Sequence, residues 1–325
     1  MNILVTGAAG FIGSNFCKLL LDSPAKYNVV GVDKLTYAGD MENVKRFDEL
    51  KCFTFHQTDI NNTTYIAYIL KHHNIDCIVN FAAESHVDNS IVNCDNFINS
   101  NTMGVKSLLE AARHNEIKLF VQVSTDEVLG DCVDIAYHIN GYTEDANYNP
   151  RNPYAASKAS AEMLCSAYYH TYGVPVIITR CCNNYGPYQH PEKLVAKAIT
   201  NIINNKPIPL YGDGKNIREW IHVTDHCNAI LTLIGKGTVG EIYHIGSGVH
   251  MSNINILTKI ASEFGKKIDD CIVYVTDRLG HDISYSLNCD KLKMLDWYCT
   301  TGFNQGIFNT VEWYKKNYKW WETKV

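Results

Sequence analysis

Residues 124–130 read STDEVLG, and within them Thr125, Asp126 and Glu127 set a hydroxyl and two carboxyls side by side, directly after the largely apolar run 119–123. Neighbouring carboxyls push each other's pKa values apart, so one can stay protonated as an acid while its partner ionises as a base. Acidic residues after a strand also cap helices or meet water, so the triplet alone carries no assignment. On a continuing strand Asp126 and Glu127 would point to opposite faces. They converge on one ligand only if the strand ends near Val123 and they lie on a loop. Downstream, Tyr154 and Lys158 in YAASK stand one helical turn apart on the same face, just after Pro153, a common opener of helices. A phenol ionises near pH ~10 in water, and a nearby ammonium moves it toward use as a proton acceptor. Taken alone, this spacing is common on solvated helices.

These groups need a scaffold, and the first residues supply a strong indication of one. ILVTGAAGFIGSNF places Gly7, Gly10 and Gly13 between a strand and a helix, where a tight turn, close approach to a pyrophosphate and close helix packing each call for glycine. Asp33 closes the second strand, where a carboxylate suits a ribose 2′-hydroxyl and repels a 2′-phosphate. The loop therefore predicts a dinucleotide site with NAD favoured over NADP, and the positive charge of its nicotinamide would act together with the Lys158 ammonium to stabilise a Tyr154 phenolate; Lys34 runs slightly against the NAD preference. Apolar runs at 3–5, 29–32, 53–55, 77–81, 120–123 and 176–179, separated by stretches long enough for crossover helices, predict an α/β fold of the Rossmann type with a doubly wound parallel sheet. Open sheets of this kind bind ligands at the carboxyl ends of their strands, where the Thr125–Glu127 triplet falls. Beyond about residue 180 the rhythm gives way to Gly- and Pro-containing loops. The expected division is residues 1–180 with roughly 215–245 as the dinucleotide-binding unit, and 181–214 with 246–325 as a smaller, partly interleaved lobe.

Composition narrows the partners. A net charge of −5 spread through 325 residues, with no basic stripe or charged tail, gives no reason to expect nucleic acid or an acidic membrane surface. The start of the chain has no signal-type segment, and the longest uncharged stretches, 163–179 and 242–258, are broken by Gly, His and other polar residues, so neither reads as the ~18 apolar residues that span a bilayer. Twelve cysteines without Cys-x-x-Cys spacing read as buried thiols in a reducing compartment, so a cytoplasmic protein is expected. His222 and His226 have the i, i+4 spacing of a metal pair, but no glutamate base or third ligand follows; His72, His73 and His281 are equally poor ligands, and no metal is expected.

The glycine loop, the Tyr154/Lys158 pair, DKLTYAGD (33–40), FAAESHVDNSI (81–91), STDEV (124–128), NNYGPYQHPEKL (183–194) and GDGKNIREWIHVTDH (212–226) together resemble the extended short-chain dehydrogenase/reductase superfamily, and within it the nucleotide-sugar 4,6-dehydratases acting on dTDP-glucose or UDP-glucose. The resemblance spans nearly the whole chain, and Thr125-Asp126-Glu127 is its specific element. It implies a tightly bound NAD regenerated each turnover, contacted by Gly7, Gly10, Phe11, Ile12, Gly13, Asp33, Lys34, Thr36, Asp59, Ile60, Ala82, Ala83, Ser124, Tyr154 and Lys158. It also implies oxidation at C4 with Tyr154 as base, a C4 oxygen held by Thr125, removal of the C5 proton by Glu127, protonation of the departing C6 hydroxyl by Asp126, and return of hydride to C6 and of a proton to C5. The product would be a 4-keto-6-deoxy sugar feeding deoxysugar synthesis, for example of rhamnose.

For the nucleotide sugar the resemblance names Ser85, Thr125, Asn183, Asn184, Lys193, Leu194, Pro209, Tyr211, Arg218, Asn253, Arg278 and His281. Each of these alone reads equally well as a loop or surface residue. The resemblance further implies a homodimer through helices near 97–115 and 154–172. Two departures stand out: Leu129 replaces the family's usual Tyr, and 131–149 matches no family pattern. A 4-epimerase would share Tyr154, Lys158 and NAD without needing the two carboxyls, and a non-catalytic NAD-binding regulator would need neither.

Overall fold

The apolar runs of the first half alternate cleanly between two faces. Within Asn2–Thr6 (β1), Ile3 and Val5 enter one core and Leu4 the other. Val121 and Phe120 part in the same way within Leu119–Thr125 (β5), as strands buried on both sides require. With Asn28–Asp33 (β2), Phe53–Gln57 (β3), Cys77–Asn80 (β4), Val176–Cys181 (β6) and Ile242–Ile245 (β10), they form one seven-stranded sheet in the order β10-β6-β5-β4-β1-β2-β3, all neighbours parallel. The computed structural model describes residues 1–132 and 140–325, so part of the unmatched segment 131–149 lies outside the described residues.

Helices cover both faces. Phe11–Asp22 (α1) and Val223–Lys236 (α6) lie over the core that contains Phe16, Leu20, Ile230 and Leu233. Thr63–His72 (α2), Gly104–His114 (α3) and Pro153–Tyr172 (α4) cover the other, through Ile66, Ile69, Leu108, Leu109, Ala161 and Cys165. Ahead of α3, Ile98–Met103 forms a turn of π-helix.

A third core lies around Leu194–Ile203 (α5), Asn253–Ser262 (α7) and Phe303–Lys316 (α8), with Tyr185, Leu210, Trp220, Ile256, Ile307 and Trp321 among its side chains. It carries a three-stranded sheet of His250–Ser252 (β11), Ile217–His222 (β9) and Asn183–Tyr185 (β7), and the parallel pair of Ile208–Tyr211 (β8) with Ile272–Val275 (β12). Strand β9 thus leaves the large sheet, although α6 directly after it returns to that sheet.

The chain winds outward from β1 to β2 and β3 on one side, and through β4, β5 and β6 on the other. The crevice between β1 and β4 is the reversal point at which such sheets take ligands. Buried polar groups bridge it: Thr6 donates to Asn80 (2.5 Å), and Asn80 to Gln122 (2.8 Å).

Candidate active site

The loop after β1 shows why each glycine is there. Gly7 has φ +66°, and a Cβ on it would stand 2.8 Å from the amide nitrogen of Ala82. A Cβ on Gly13 would overrun the carbonyl of Gly7, 2.8 Å from its carbon. Gly10, by contrast, would meet only the Gly7 oxygen, at a tight 3.2 Å that a shift of a few tenths of an ångström relieves, so its bareness serves chiefly what lies outside. Asp33 is fixed at the edge of this cradle by the backbone N–H groups of Ala9 (3.0 Å) and Leu35 (2.8 Å). Lys34 donates to Ser100 (2.9 Å) and faces Asp59 at 3.6 Å. The missing Cβ atoms, the helix N-terminus of α1 and the anchored Asp33 fit a dinucleotide.

One cavity runs from this cradle to the end of β5. Its wall includes every residue expected to touch the dinucleotide, together with Ser85, Thr125, Asp126, Glu127, Asn183, Asn184, Lys193 and Leu194. The strand itself runs two residues further than the sequence suggested. Ser124 and Thr125 still pair with Arg180 and Cys181 of β6, and the carboxyls sit on a 3-10 turn, Asp126–Leu129, not on an open loop. The turn is capped by Thr125, whose hydroxyl accepts from the N–H of Glu127 (3.3 Å) and donates to Asp126 (3.1 Å). Its tight winding is what lets two consecutive carboxyls converge. Leu129 faces inward and packs in the main core, a use open to leucine but not to a phenol in need of a partner.

The two acids differ in the way acid–base work requires. Asp126 is 3 % exposed, and burial with the neighbouring charge of Glu127 holds its pKa well above the usual carboxylate range. Burial raises Glu127 as well, but Asn152 donates to it (3.0 Å), and Arg278 and Arg218 oppose the rise. Asn152 is also the N-cap of α4, accepting from the N–H of Ala155 (2.8 Å). Sequence reasoning passed over it; an Asn immediately before a Pro at the first helical position signals a cap, though not its reach to residue 127.

Tyr154 and Lys158 enter the same cavity from α4. Lys158, 5 % exposed, donates to the carbonyl of Val123 (2.7 Å), and burial lowers its pKa to about 8. The protein's own groups do not lower the pKa of the Tyr154 phenol. Burial and the nearby Glu127 carboxyl raise it well above 10, with a hydrogen bond to Thr125 in opposition. The ammonium of Lys158 is turned to Val123, so a further positive charge in the cavity is needed to ionise the phenol.

The remaining candidates divide. Lys193 donates to the Ser85 carbonyl (2.7 Å), and Asn184 is oriented by buried His226 (2.9 Å), whose pKa burial lowers to about 3. His222 caps α6 by accepting from Thr224, so the two histidines serve different partners. Pro209, Tyr211, Arg218, Asn253, Arg278 and His281 do not line the cavity. Tyr211 donates to Asp88 (3.0 Å), which also faces Arg278 at 3.6 Å, and His281 pairs with Asp277 (2.6 Å). Arg218 is buried over the ring of Tyr285 and donates to the carbonyls of Ile217, Ile283 and Asp282. Asn253 opens α7, its backbone N–H bound to Asn216.

A glycine cradle leading to a Tyr–Lys pair at the carboxyl edge of a parallel sheet defines an extended short-chain dehydrogenase/reductase. The chain belongs to the GDP-mannose 4,6 dehydratase family, whose model matches residues 4–310. It is 44% identical over 97% of its length, and 98% of the relative's, to the low-salt glycan biosynthesis protein Agl12 of Haloferax volcanii. It is 41% identical over 99% of its length, and 95% of the relative's, to a dTDP-glucose 4,6-dehydratase of Streptomyces niveus. Among solved structures, the dTDP-glucose 4,6-dehydratase DesIV of Streptomyces venezuelae, crystallised with NAD bound, superposes with a TM-score of 0.95 at 42% identity, covering 100% of both chains.

Proposed function

We propose that this protein is an NAD-dependent 4,6-dehydratase of a nucleotide-diphospho-glucose, dTDP-glucose or UDP-glucose, yielding the 4-keto-6-deoxy sugar. The observation that carries the reading is the convergence of Asp126 and Glu127 with Tyr154 in one cavity, the two acids in unlike environments. NAD, when bound in the glycine cradle, supplies an acceptor for the C4 hydride, a positive charge beside the phenol, and the same hydride for return to C6.

The chain's own groups do the proton work. Tyr154 accepts the proton of the 4-hydroxyl while Thr125 holds the C4 oxygen. Once C4 is a ketone, C5 becomes the α-carbon of a carbonyl and its proton comes within reach of the carboxylate of Glu127. Asp126, kept protonated by burial, donates to the departing C6 hydroxyl, and a proton returns to C5 as C6 regains the hydride. Lys158 steadies the end of β5 through the Val123 carbonyl and would be among the groups that hold NAD. Ser85, Asn183, Asn184, Lys193 and Leu194 line the route to the sugar diphosphate. Arg278 with Tyr211, Pro209, His281, Arg218 and Asn253 surrounds the nucleotide end in this reading.

The unit of 1–180 with roughly 215–245, although its β9 joins the smaller sheet, then serves NAD, and 181–214 with 246–325 the nucleotide sugar. A homodimer through the helices near 97–115 and 154–172 belongs to the same reading. It is supported by exposed Ile98, Met103 and Met163 on those segments. Residence in the cytoplasm belongs to the same reading, supported by twelve cysteines without Cys-x-x-Cys spacing.

Incubation with dTDP-glucose and UDP-glucose, followed by mass spectrometry, tests the function. Loss of one water from either donor is expected. A product that keeps its C6 oxygen would move the assignment to a 4-epimerase, and no conversion with normal NAD binding would leave a non-catalytic binder.

A further inference from the structure

Asn152 stands between two parts of the site that the chemistry must keep in register. Its side-chain amide is fixed in one orientation, because Oδ1 accepts from the N–H of Ala155 (2.8 Å) at the start of α4. Nδ2 is therefore presented as a donor, and it reaches Oε2 of Glu127 at 3.0 Å. That leaves the other carboxylate oxygen of Glu127 for the substrate. The helix so capped carries Tyr154 and Lys158, so a single amide ties the helix of the oxidising groups to the carboxyl of the eliminating step.

On the reading proposed above, we propose that Asn152 is a positioning residue, one that orients Glu127 and keeps it in its proton-accepting form for removal of the C5 proton. A hydrogen bond given to a carboxylate favours the ionised form. It counts here because the balance around Glu127 is close. Burial and Asp282 favour the protonated form, Arg278 and Arg218 the ionised one, while the phenols of Tyr154 and Tyr285 face the same carboxyl.

Serine at this position keeps the cap and removes the donor, and aspartate keeps the cap while placing a second carboxylate against Glu127. For Asn152→Ser, the acid limb of kcat/KM for dehydration is expected to move up by about one pH unit, with roughly a tenfold loss of rate below that limb. Asn152→Asp should move it further in the same direction. Single-turnover formation of the 4-keto sugar and the melting temperature of Asn152→Ser should stay close to wild type.

Independently of turnover, the titration of Glu127 is followed by infrared difference spectroscopy, its carboxyl band identified by its loss in Glu127→Gln. The band should titrate higher in both variants. An acid limb and a band that stay in place in both variants would overturn the proposal and leave Asn152 a helix cap. If wild type converts neither nucleotide sugar, the proposed function fails, while the band titration still decides whether Asn152 holds Glu127 ionised.

Discussion

Gly13→Ala and Gly10→Ala separate what the cradle does for the fold from what it does for the ligand. In Gly13→Ala the new methyl would stand 2.8 Å from the carbonyl carbon of Gly7 and 3.2 Å from Cα of Ala8. Carbon atoms pack best at ~3.5–4.0 Å, so helix and loop must part by about 1 Å. Overpacking costs ~1–3 kcal/mol, and because the obstructing atoms are backbone the upper figure applies. At ~2 °C per kcal/mol for a chain of this size, Tm should fall by about 6 °C. The displaced loop should also lose NAD. Gly10 has φ −81° and only the 3.2 Å contact to Gly7, so Gly10→Ala should melt near wild type. Its methyl points where the pyrophosphate must come, and a loss of ~2 kcal/mol there weakens NAD by roughly 30-fold. Melting curves and NAD titrations of both variants provide the measurement. Equal melting of the two variants, or wild-type NAD binding by Gly13→Ala, would refute the reasoning.

Glu127→Gln should still form the 4-keto sugar but lose about 10²- to 10⁴-fold in dehydration, with no exchange of a C5 deuterium into water; rapid exchange, read by mass spectrometry, would remove Glu127 from its role. Lys158 has a folded pKa of about 8 against 10.5 unperturbed, so the unfolded chain binds more protons between those values and stability should rise with pH across that window. Lys158→Met should abolish the rise and melt higher at pH 7 by a few degrees while losing activity; the Val123 carbonyl keeps Gln122 as a donor. The ion pair of Arg180 and Glu162 (2.9 Å, 1 % and 0 % exposed) should not tolerate loss of one partner, so Arg180→Met should cost ~3–5 kcal/mol in urea unfolding.

Local patterns in the chain carried most of the sheet and the whole dinucleotide cradle, because strand alternation, glycine geometry and helical spacing depend on neighbours a few residues apart. The end of β5 was misjudged by two residues: Ser124 and Thr125 look like turn formers, yet their pairing with β6 keeps them extended. Asn152 was missed because its second partner is brought close only by the packing of α4 on the turn after β5. Arg218 reads in sequence as a ligand of the nucleotide end, and what the sequence does not show is that its guanidinium is also bound to backbone carbonyls. The lowering expected for the Tyr154 phenol calls for the nicotinamide's charge as well as the Lys158 ammonium. Spacing put Lys158 on the same face, but its ammonium is drawn to Val123.

The place of β10 has a consequence for how the protein is made. Strand β6 ends at Cys181, and the strand that covers its outer edge begins only at Ile242, after β7, β8 and β9 have been laid into other sheets. On a ribosome adding ~5–20 residues per second, that edge stays uncovered for about 3 to 12 s. An open edge of hydrophobic strand is a template for pairing with other chains. The nascent protein is therefore most prone to aggregate when its nucleotide-binding half is nearly finished, and a stalled or truncated chain ending between 182 and 241 should need a chaperone that the full-length product does not.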